Sequence, residues 1–475
     1  MGVNTRHPKY DEFLENWELV RDNLKGEPTV KRRGEKYLAK NRGMRDAELA
    51  DLQCGWRVYD AYKMRAQFPE WLKDALRSMI GLVSTLRDKQ EVETRHGQLK
   101  VLEEQATDDG FDLFELFLRG VDQGASFGRY GYLADFADGV PYVALYDTFS
   151  IINWKIGKVG GRRDLTLLVL EEQHEKDDSD EFSHETKTVY RVLDLDKQGF
   201  YRVRLMTEDG VFDEIYPMMG SKKVRFIPFV FGGSINNSHN PNPVPLLTMA
   251  RSAVKYYQLS ADYFQSLHLT SHPQPYMIGA EMKKEVAPDG SVIDIPPIRY
   301  TGANCVWFLD QNVKEVAYLE YQGQGIEDTR QEMTEQKNAA SEAGAKVIDI
   351  GAQESGDARK ARQEDQHASL QTIIQSASNA IEQILKYFAE WQGLSTDKIK
   401  FDVPLEFSAE VDAQVLNILV QMAQAQRISW ESVLIYIQTG KRPEGQYADE
   451  IARIIEEQNQ MPSVGNVNNS DPVFD

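Results

Sequence analysis

The sequence predicts an α+β protein, because helical and strand patterns occupy separate blocks of the chain. Apolar residues recur at helical spacing from residue 1 to about 120, and short β-branched and aromatic runs follow from about 127 to 232. Two long helical patterns come next, at 246–270 and 357–392. The α+β prediction rests on this order of helices, strands and helices again.

The N-terminal block is predicted to be helical from the spacing of its apolar residues. Its first helical pattern stops where Gly26 and Pro28 interrupt it. Further along, Asp109-Gly110 precedes a run whose apolar residues indicate a buried helix. These residues are Phe111, Leu113, Phe114, Leu116, Phe117, Leu118 and Val121.

The strand block contains two hairpin signals. Gln198-Gly199 and Asp209-Gly210 each separate two β-rich runs, as the residues of tight turns do. The acidic run from Glu175 to Glu181 is interpreted as a solvated loop. It lacks the glycine and the ligand spacing of an EF-hand, so we do not expect a calcium site there.

The long pattern at 357–392 is the clearest local signal. Its apolar residues share one face of a helix that would run roughly 50 Å at 1.5 Å per residue. They are Leu370, Ile373, Ile374, Ala377, Ile381, Ile384, Leu385 and Phe388. Gly393 follows at the position expected for a left-handed C-cap.

The stretch before this helix is polar on nearly every side. A helix is predicted at about 326–346, with Ile326, Met333 and a few alanines as its apolar residues. Such a helix either crosses solvent or packs against copies of itself. Two glycines and small polar residues then predict a mobile loop at 349–357.

Arg359, Lys360 and Arg362 lie at the start of the long helix, where helix N-termini disfavour cations by a few tenths of a kcal/mol each. One interpretation is that this end faces an anion such as a nucleic-acid backbone. The other is an ion pair within or between subunits, for instance with Glu354 or Asp357. The sequence leaves both open.

The remaining segments are shorter. Pro273 and Pro275 end the helix at 246–270, and residues 276–320 are predicted to form short strands. Beyond Gly393 we expect a strand at 400–407 and helices at about 411–426, 430–438 and 446–457, with Ser429 as an N-cap. The polar tail 461–475 is predicted to be disordered.

Composition bounds the function. The composition, 41% hydrophobic and 27% charged, is typical of a globular protein. The length of 475 residues fits two or three domains. The net charge of −20 argues against wrapping nucleic acid with a basic face, although an acidic surface could let DNA slide past. Cys54 and Cys305 are too few for a disulfide framework. Without a signal peptide or a membrane-spanning run, a soluble cytoplasmic product is expected.

The sequence contains no complete catalytic motif among those considered. Gly124-Ala-Ser126-Phe-Gly128 matches the G-x-S-x-G pattern of serine hydrolases, but that motif needs a strand before the serine and a helix after it, and here the order is reversed. No second histidine completes a zinc motif, and no P-loop spacing occurs. We therefore predict a protein without enzymatic activity, cofactor or metal.

Several stretches, taken in order, resemble the portal proteins of tailed bacteriophages, and more specifically a portal-like family long catalogued as a domain of unknown function. They are Val3-Asn-Thr-Arg-His-Pro, Ser150-Ile-Ile-Asn-Trp154, Ile227-Pro-Phe-Val-Phe231, Ser260-Ala-Asp-Tyr, Leu267-His-Leu-Thr-Ser-His-Pro-Gln-Pro275 and Leu319-Glu-Tyr-Gln-Gly-Gln-Gly-Ile326. The resemblance covers most of residues 1–395 and is weaker after 400.

The resemblance implies a portal-type fold with an α+β wing, a helical stem, a small mixed clip, a long wing helix and a mainly helical crown. The implied division is wing 1–245, first stem helix 246–270, clip and return 271–325, second stem helix 326–346, tunnel loop 347–358, long wing helix 359–395, crown 396–460 and tail 461–475.

The resemblance also implies a homo-oligomeric ring, usually of twelve subunits, at one vertex of the virion capsid. The ring would assemble in the host cytoplasm and pass double-stranded DNA without sequence specificity. Its partners would be the capsid protein, the large terminase subunit and head-completion adaptors, with no membrane. Residues implied near DNA are Lys346, Gly351, Gln353, Glu354, Ser355, Gly356, Arg359, Lys360 and Arg362; those implied in clip docking are Lys283, Lys284, Asp289 and Arg299.

Two other functions remain as alternatives at this stage. One is a different virion structural protein, such as a head scaffold or a tail component. The other is a serine hydrolase that uses Ser126 as its nucleophile.

Overall fold

Helices occupy the start of the chain, as the sequence predicts. In the computed structural model they are α1 (Pro8–Leu24), α2 (Glu27–Arg32), α3 (Arg42–Ala50), α4 (Trp56–Arg65), α5 (Trp71–Ser84), α6 (Val101–Glu104) and α7 (Leu113–Phe127). The structure describes residues 2–50, 56–94, 96–137, 139–159, 162–176, 182, 184–270, 274–278, 283–286, 288, 290–295, 314–319, 324–343, 356–403, 413–425, 427–439, 451 and 453–456.

The strand block forms a five-stranded antiparallel sheet beside a three-stranded one. The five-stranded sheet has the order β4 (Ile151–Val159), β5 (Arg162–Glu175), β6 (Thr186–Leu195), β7 (Tyr201–Thr207), β8 (Gly210–Ile215). The three-stranded sheet has the order β11 (Phe229–Gly233), β2 (Arg129–Ala137), β3 (Val140–Tyr146). Short strands β9 (Met218–Met219) and β10 (Lys222–Lys223) pair with each other.

The second half of the chain is built around three longer helices. They are α8 (Leu247–Thr270), α9 (Gln324–Glu342) and α10 (Gly356–Trp391). Between α8 and α9 lie β12 (Gln274–Ile278), β13 (Lys283–Val286), β14 (Val292–Ile295) and β15 (Glu315–Leu319). After α10, β16 (Lys400–Asp402) pairs antiparallel with β1 (Glu91–Glu93), which lies between α5 and α6 of the N-terminal block.

Contacts divide the chain into two units, Met1–Val403 and Pro404–Asp475. In the first unit, α10 packs against α7, β2, β11 and β16. Its apolar face is enclosed as the spacing predicts, with Ile374, Ile381 and Phe388 all fully buried. Gly393 ends this region with a φ of 69°, and the Leu394 N–H donates to the Ala389 carbonyl at 2.8 Å, as in a Schellman cap.

The second unit contains α11 (Ala413–Gln424) and α12 (Trp430–Thr439). Leu419, Ala423 and Val433 form its small apolar cluster. Ser429 is the N-cap of α12, as predicted, because its Oγ accepts a hydrogen bond from the Ser432 N–H at 3.1 Å.

The α+β prediction is confirmed, and both hairpin turns lie where the sequence predicts them. One helix prediction is wrong at its start. Phe111 is 44% exposed and outside α7, because the Asp112 side chain accepts from the Glu115 N–H at 2.7 Å and caps the helix there. Phe111 packs instead beneath the Arg119 guanidinium, 4.3 Å from its ring centroid.

Element bounds differ modestly elsewhere. The polar helix begins at Gln324 instead of Ile326 and ends at Glu342. The strand predicted at 400–407 is described as Lys400–Asp402, and residues 404–412 lie outside the described chain. The predicted disordered tail also lies outside it.

Candidate functional site

The α8 helix is fixed to the N-terminal helices along one face. Met249, Ala253 and Tyr257, spaced four residues apart, are fully buried. Farther along, Ser260 Oγ accepts from the Gln67 N–H and Tyr62 donates to Asp262 at 2.5 Å. Burial and then this hydrogen bond raise the pKa of Tyr62 well above its ordinary value, so the hydroxyl remains a donor. These contacts hold α8 in place up to its last turns.

The α9 helix packs on α8, but only a small part of its own surface is buried. Met333 is 7% exposed and Ala340 is 1% exposed, seven residues apart on the face toward the protein. The rest is polar, and Arg330 pairs with Glu327 in the exposed first turn through a 3.0 Å Nε–Oε2 contact. Each such exposed pair contributes little to stability. The helix therefore keeps a charged outer face without a partner in the described chain.

Two strand pairs lie between α8 and α9. β12 pairs with β15 in antiparallel register, from Gln274 opposite Leu319 to Ile278 opposite Glu315. The chain therefore leaves the end of α8 and returns to the start of α9 along neighbouring strands. β13 and β14 form a second pair, which carries Lys283 opposite Ile295 and Lys284 opposite Asp294. Lys284 is exposed.

The start of α10 carries the predicted cationic residues. Gly356 is the first residue of the helix, one position before the predicted start, and Arg359, Lys360 and Arg362 lie in its first two turns. Their positions on the helix are described, but their side-chain contacts are not. The other residues implied near DNA or in clip docking lie outside the described residues: Lys346, Gly351, Gln353, Glu354, Ser355, Asp289 and Arg299.

At its other end, α10 is tied to the sheets by aromatic contacts. The Trp391 indole N–H donates to the Met218 carbonyl at 2.9 Å. Phe136 packs edge-on against both Trp391, at 4.9 Å between ring centroids, and Phe388, at 5.5 Å. These contacts hold the C-terminal end of α10 against the sheets.

Ser126 does not have the surroundings of a nucleophile. It lies in the last turn of α7, with β2 following, so the order of elements is the reverse of a hydrolase elbow. The residue is fully buried, and its Oγ has no hydrogen-bond partner in the described part of the chain. No base among the described residues is hydrogen-bonded to this hydroxyl, as activation of a serine nucleophile requires.

Sequence reasoning did not single out Arg129, which the structure makes conspicuous. Its side chain is 1% exposed, and none of its three nitrogens has a hydrogen-bond partner among the described residues. Burial lowers the pKa of Arg129 to about 9. The guanidinium stacks 3.8 Å from the centroid of Trp154.

The cation–π contact of Arg129 does not offset the free-energy cost of burying its charge. A desolvated cation–π contact contributes about 2 kcal/mol, whereas burial of an unpaired ion costs several. The only sequence signal is an arginine between Gly128 and the apolar residues of β2. That signal does not show whether the Arg129 side chain is buried or exposed.

Within the described ranges, no group of three or more His, Cys, Asp and Glu residues could hold a metal ion. None of the helices in those ranges combines the length and apolarity that a bilayer crossing requires.

The model of a domain of unknown function (DUF4055) matches residues 245–392, which is less than half of the chain. No curated protein sequence matches the chain significantly.

Among solved structures, the chain is similar to one described as the neck of an empty GTA particle computed with C6 symmetry. The identity is 12%, the alignment covers 79% of this chain and 91% of that one, and the TM-score is 0.38. It is also similar to one described as the virion of a native gene transfer agent particle, with 14% identity, coverage of 79% and 90%, and a TM-score of 0.39. Superpositions this loose assign neither a shared detailed fold nor a function.

Proposed function

We propose that the protein is a phage portal: a ring of identical subunits at one capsid vertex, through which double-stranded DNA is packaged and ejected. The single observation that carries this proposal is the packing of α9 on α8, which leaves the outer face of α9 charged and exposed. A helix that is polar on most sides does not stabilise a monomer's core, and copies packed side by side around a channel would give it contacts.

The order of elements supports the same proposal. The two long helices α8 and α9 flank the strand module, and α10 follows after a segment rich in glycine. In a portal these would be the paired stem, the clip, the tunnel loop and the long wing helix. Residues 245–392, which match the domain of unknown function, span all four elements.

The charge distribution suits passage of DNA. The chain has a net charge of −20, so tight, general binding to phosphates is disfavoured and a duplex can move. Arg359, Lys360 and Arg362, together with the preceding loop, would supply the few sequence-independent phosphate contacts. The motor that drives packaging would be a separate protein, which agrees with the lack of a P-loop in the sequence.

The clip would be the docking surface for the large terminase subunit during packaging and for head-completion adaptors afterwards. Lys284 is exposed on β13 and is available for such contacts. The wing would face the capsid protein and residues 396–460 would form the crown. Residues 396–403 belong to the first structural unit, where β16 pairs with β1, so the separate unit begins only at Pro404.

Electron microscopy of the purified chain tests this function. Top views are expected to show closed rings with a central channel and a uniform number of subunits. The same particles, mixed with linear duplex DNA, should show the duplex entering along the ring axis. If the purified chain forms open filaments, or closed particles without a central channel, the proposal is contradicted and a scaffold or tail component is favoured.

A further inference from the structure

A cavity of about 470 Å³ opens beside α10, away from the helices assigned to the channel. It lies between β4 and β5, strand β11 with the turn that follows it, and the C-terminal half of α10. Phe229, Phe231 and Leu165 are among its apolar lining residues. Its volume lies within the range of small-ligand sites.

The polar wall of this cavity is rich in hydrogen-bond donors. Arg163 is exposed and has no ion pair within the described chain, and His239 is half-buried beside it. Asn379, Gln383 and Tyr387 also line the cavity, at spacings of four along α10. The Asn379 Oδ1 already accepts from Gln375 Nε2 at 3.0 Å, so its amide N–H groups are the part that can face a ligand. Guanidinium and amide N–H groups that line one cavity can donate together to one bound oxygen-rich group.

Arg129 adds positive charge behind the cavity. Its guanidinium lies 5.0 Å from the ring of Phe231, which lines the cavity, and 3.8 Å from that of Trp154. His7 stacks on Trp154 at 3.9 Å. Burial, and then the charge of Arg129, lowers the pKa of both His7 and His239.

Among the described residues that line the cavity, Asp164 is acidic. Asp164 accepts from the Leu165 N–H at 2.7 Å, so part of its hydrogen-bonding capacity is used locally. Burial, and then the charges of Asp164 and Glu390, raises the pKa of Tyr387 to about 12, so its hydroxyl is protonated at neutral pH. Two arginines offset the negative charge of Asp164: Arg163, which lines the cavity, and Arg129, which lies behind Phe231. Arg129 has no hydrogen-bonded counterion among the described residues.

We propose that this cavity is an oxyanion site: it binds a carboxylate or phosphate group, held by Arg163, His239 and the amides of α10 in the field of Arg129. The group has two possible sources. It is either a free anion such as inorganic phosphate or an acidic side chain of a second copy of this chain. The residues that line the site are not among those assigned to the channel, so binding of a free anion there does not rest on the proposed function.

The test compares the full chain with the Arg163→Ala/His239→Ala double variant. Both side chains are at least partly exposed, so their removal spares the core, and unchanged near-ultraviolet circular dichroism verifies the fold. Lys197→Ala is the control, because Lys197 is exposed elsewhere and its removal changes the net charge equally. Inorganic phosphate is titrated calorimetrically at constant ionic strength, and self-association is measured by sedimentation without phosphate.

A free anion as the ligand predicts one phosphate per chain in the wild type and the control, with binding at least about tenfold weaker in the double variant. If the oxyanion is an acidic side chain of a second copy, no phosphate binding is expected. Self-association should then be at least about tenfold weaker in the double variant than in the wild type and the control. If the double variant matches the wild type in both measurements, the cavity is not an oxyanion site.

Discussion

Tyr132 of β2 donates its hydroxyl to the Leu116 carbonyl of α7 at 3.0 Å, and it does so directly over Gly120. A Cβ at Gly120 would lie 1.9 Å from Tyr132 Oη. Both residues are buried. The close approach of this helix to this strand therefore depends on the absence of a side chain at position 120.

Gly120→Ala is expected to destabilise the larger unit by roughly 1–3 kcal/mol, because the enclosed Tyr132 cannot move without losing its hydrogen bond. The apparent melting temperature measures the effect. Gly81→Ala is the matched control, since Gly81 is also helical and nothing lies within 4 Å of its added Cβ. That variant should gain roughly 0.5–1 kcal/mol from helix propensity. Equal melting temperatures for both variants would contradict the packing described here.

Asp22 predicts a specific acid sensitivity. Its buried carboxylate accepts from Arg33 Nε and Nη2, both at 2.9 Å, and from Tyr37 Oη at 2.8 Å. Desolvation raises the pKa of Asp22, but the hydrogen bonds from Arg33 and Tyr37 outweigh it and leave the pKa below the ordinary 3.8. The stabilisation is therefore present above about pH 4 and is lost as the pH falls through the depressed pKa.

Asp22→Asn should accordingly lower stability at pH 7 by about 2 kcal/mol and flatten the fall in melting temperature as the pH drops below about 4. Tyr37→Phe removes one of the three hydrogen bonds and should lie between wild type and Asp22→Asn at pH 7. Parallel melting curves for wild type and Asp22→Asn across the acid range would show that Asp22 does not govern this sensitivity.

The unit that begins at Pro404 can be perturbed by itself through Ser429. Ser429→Ala removes the cap on the Ser432 N–H and should destabilise α12 by about 1 kcal/mol, while Ser429→Asn should keep most of it. Hydrogen exchange is then expected to become about fivefold faster in α11 and α12 of the alanine variant, with α10 unchanged. Faster exchange throughout α10 would mean that the two units do not unfold separately.

Local chemistry explains what the sequence could predict. Gly393 was recognisable as a C-cap because glycine accepts the positive φ found there, and Ser429 as an N-cap because its hydroxyl suits an unpaired N–H. The apolar spacing from Leu370 to Phe388 gave the buried face of α10 correctly. Each of these signals is encoded within a few neighbouring residues.

The features that could not be predicted depend on residues far apart in the chain. The pairing of β1 with β16 joins Val92 to Phe401, and no local pattern marks either strand as the other's partner. Arg129 is buried only because Trp154 and Phe231 come together around it. Gly120 could be an ordinary helical glycine until Tyr132 is placed above it.

The proposed tunnel loop gives a functional prediction. Deletion of residues 351–356 should leave ring assembly intact, because the proposal places subunit contacts in α8 and α9, but it should impair DNA packaging or retention. Ring counts by electron microscopy and protected DNA in assembled particles measure the two effects. Replacing the same residues with a glycine-serine linker of equal length separates loop chemistry from loop length. Loss of assembly in the deletion variant would show that the segment is a structural joint instead.

The mass of the purified wild-type chain in its native state tests most directly whether α9 faces neighbouring copies. Native mass spectrometry is expected to find one closed assembly of fixed subunit number, near twelve times the 54.2 kDa of a single chain. A stable particle of 54.2 kDa across the concentrations at which capsids assemble would contradict the portal function.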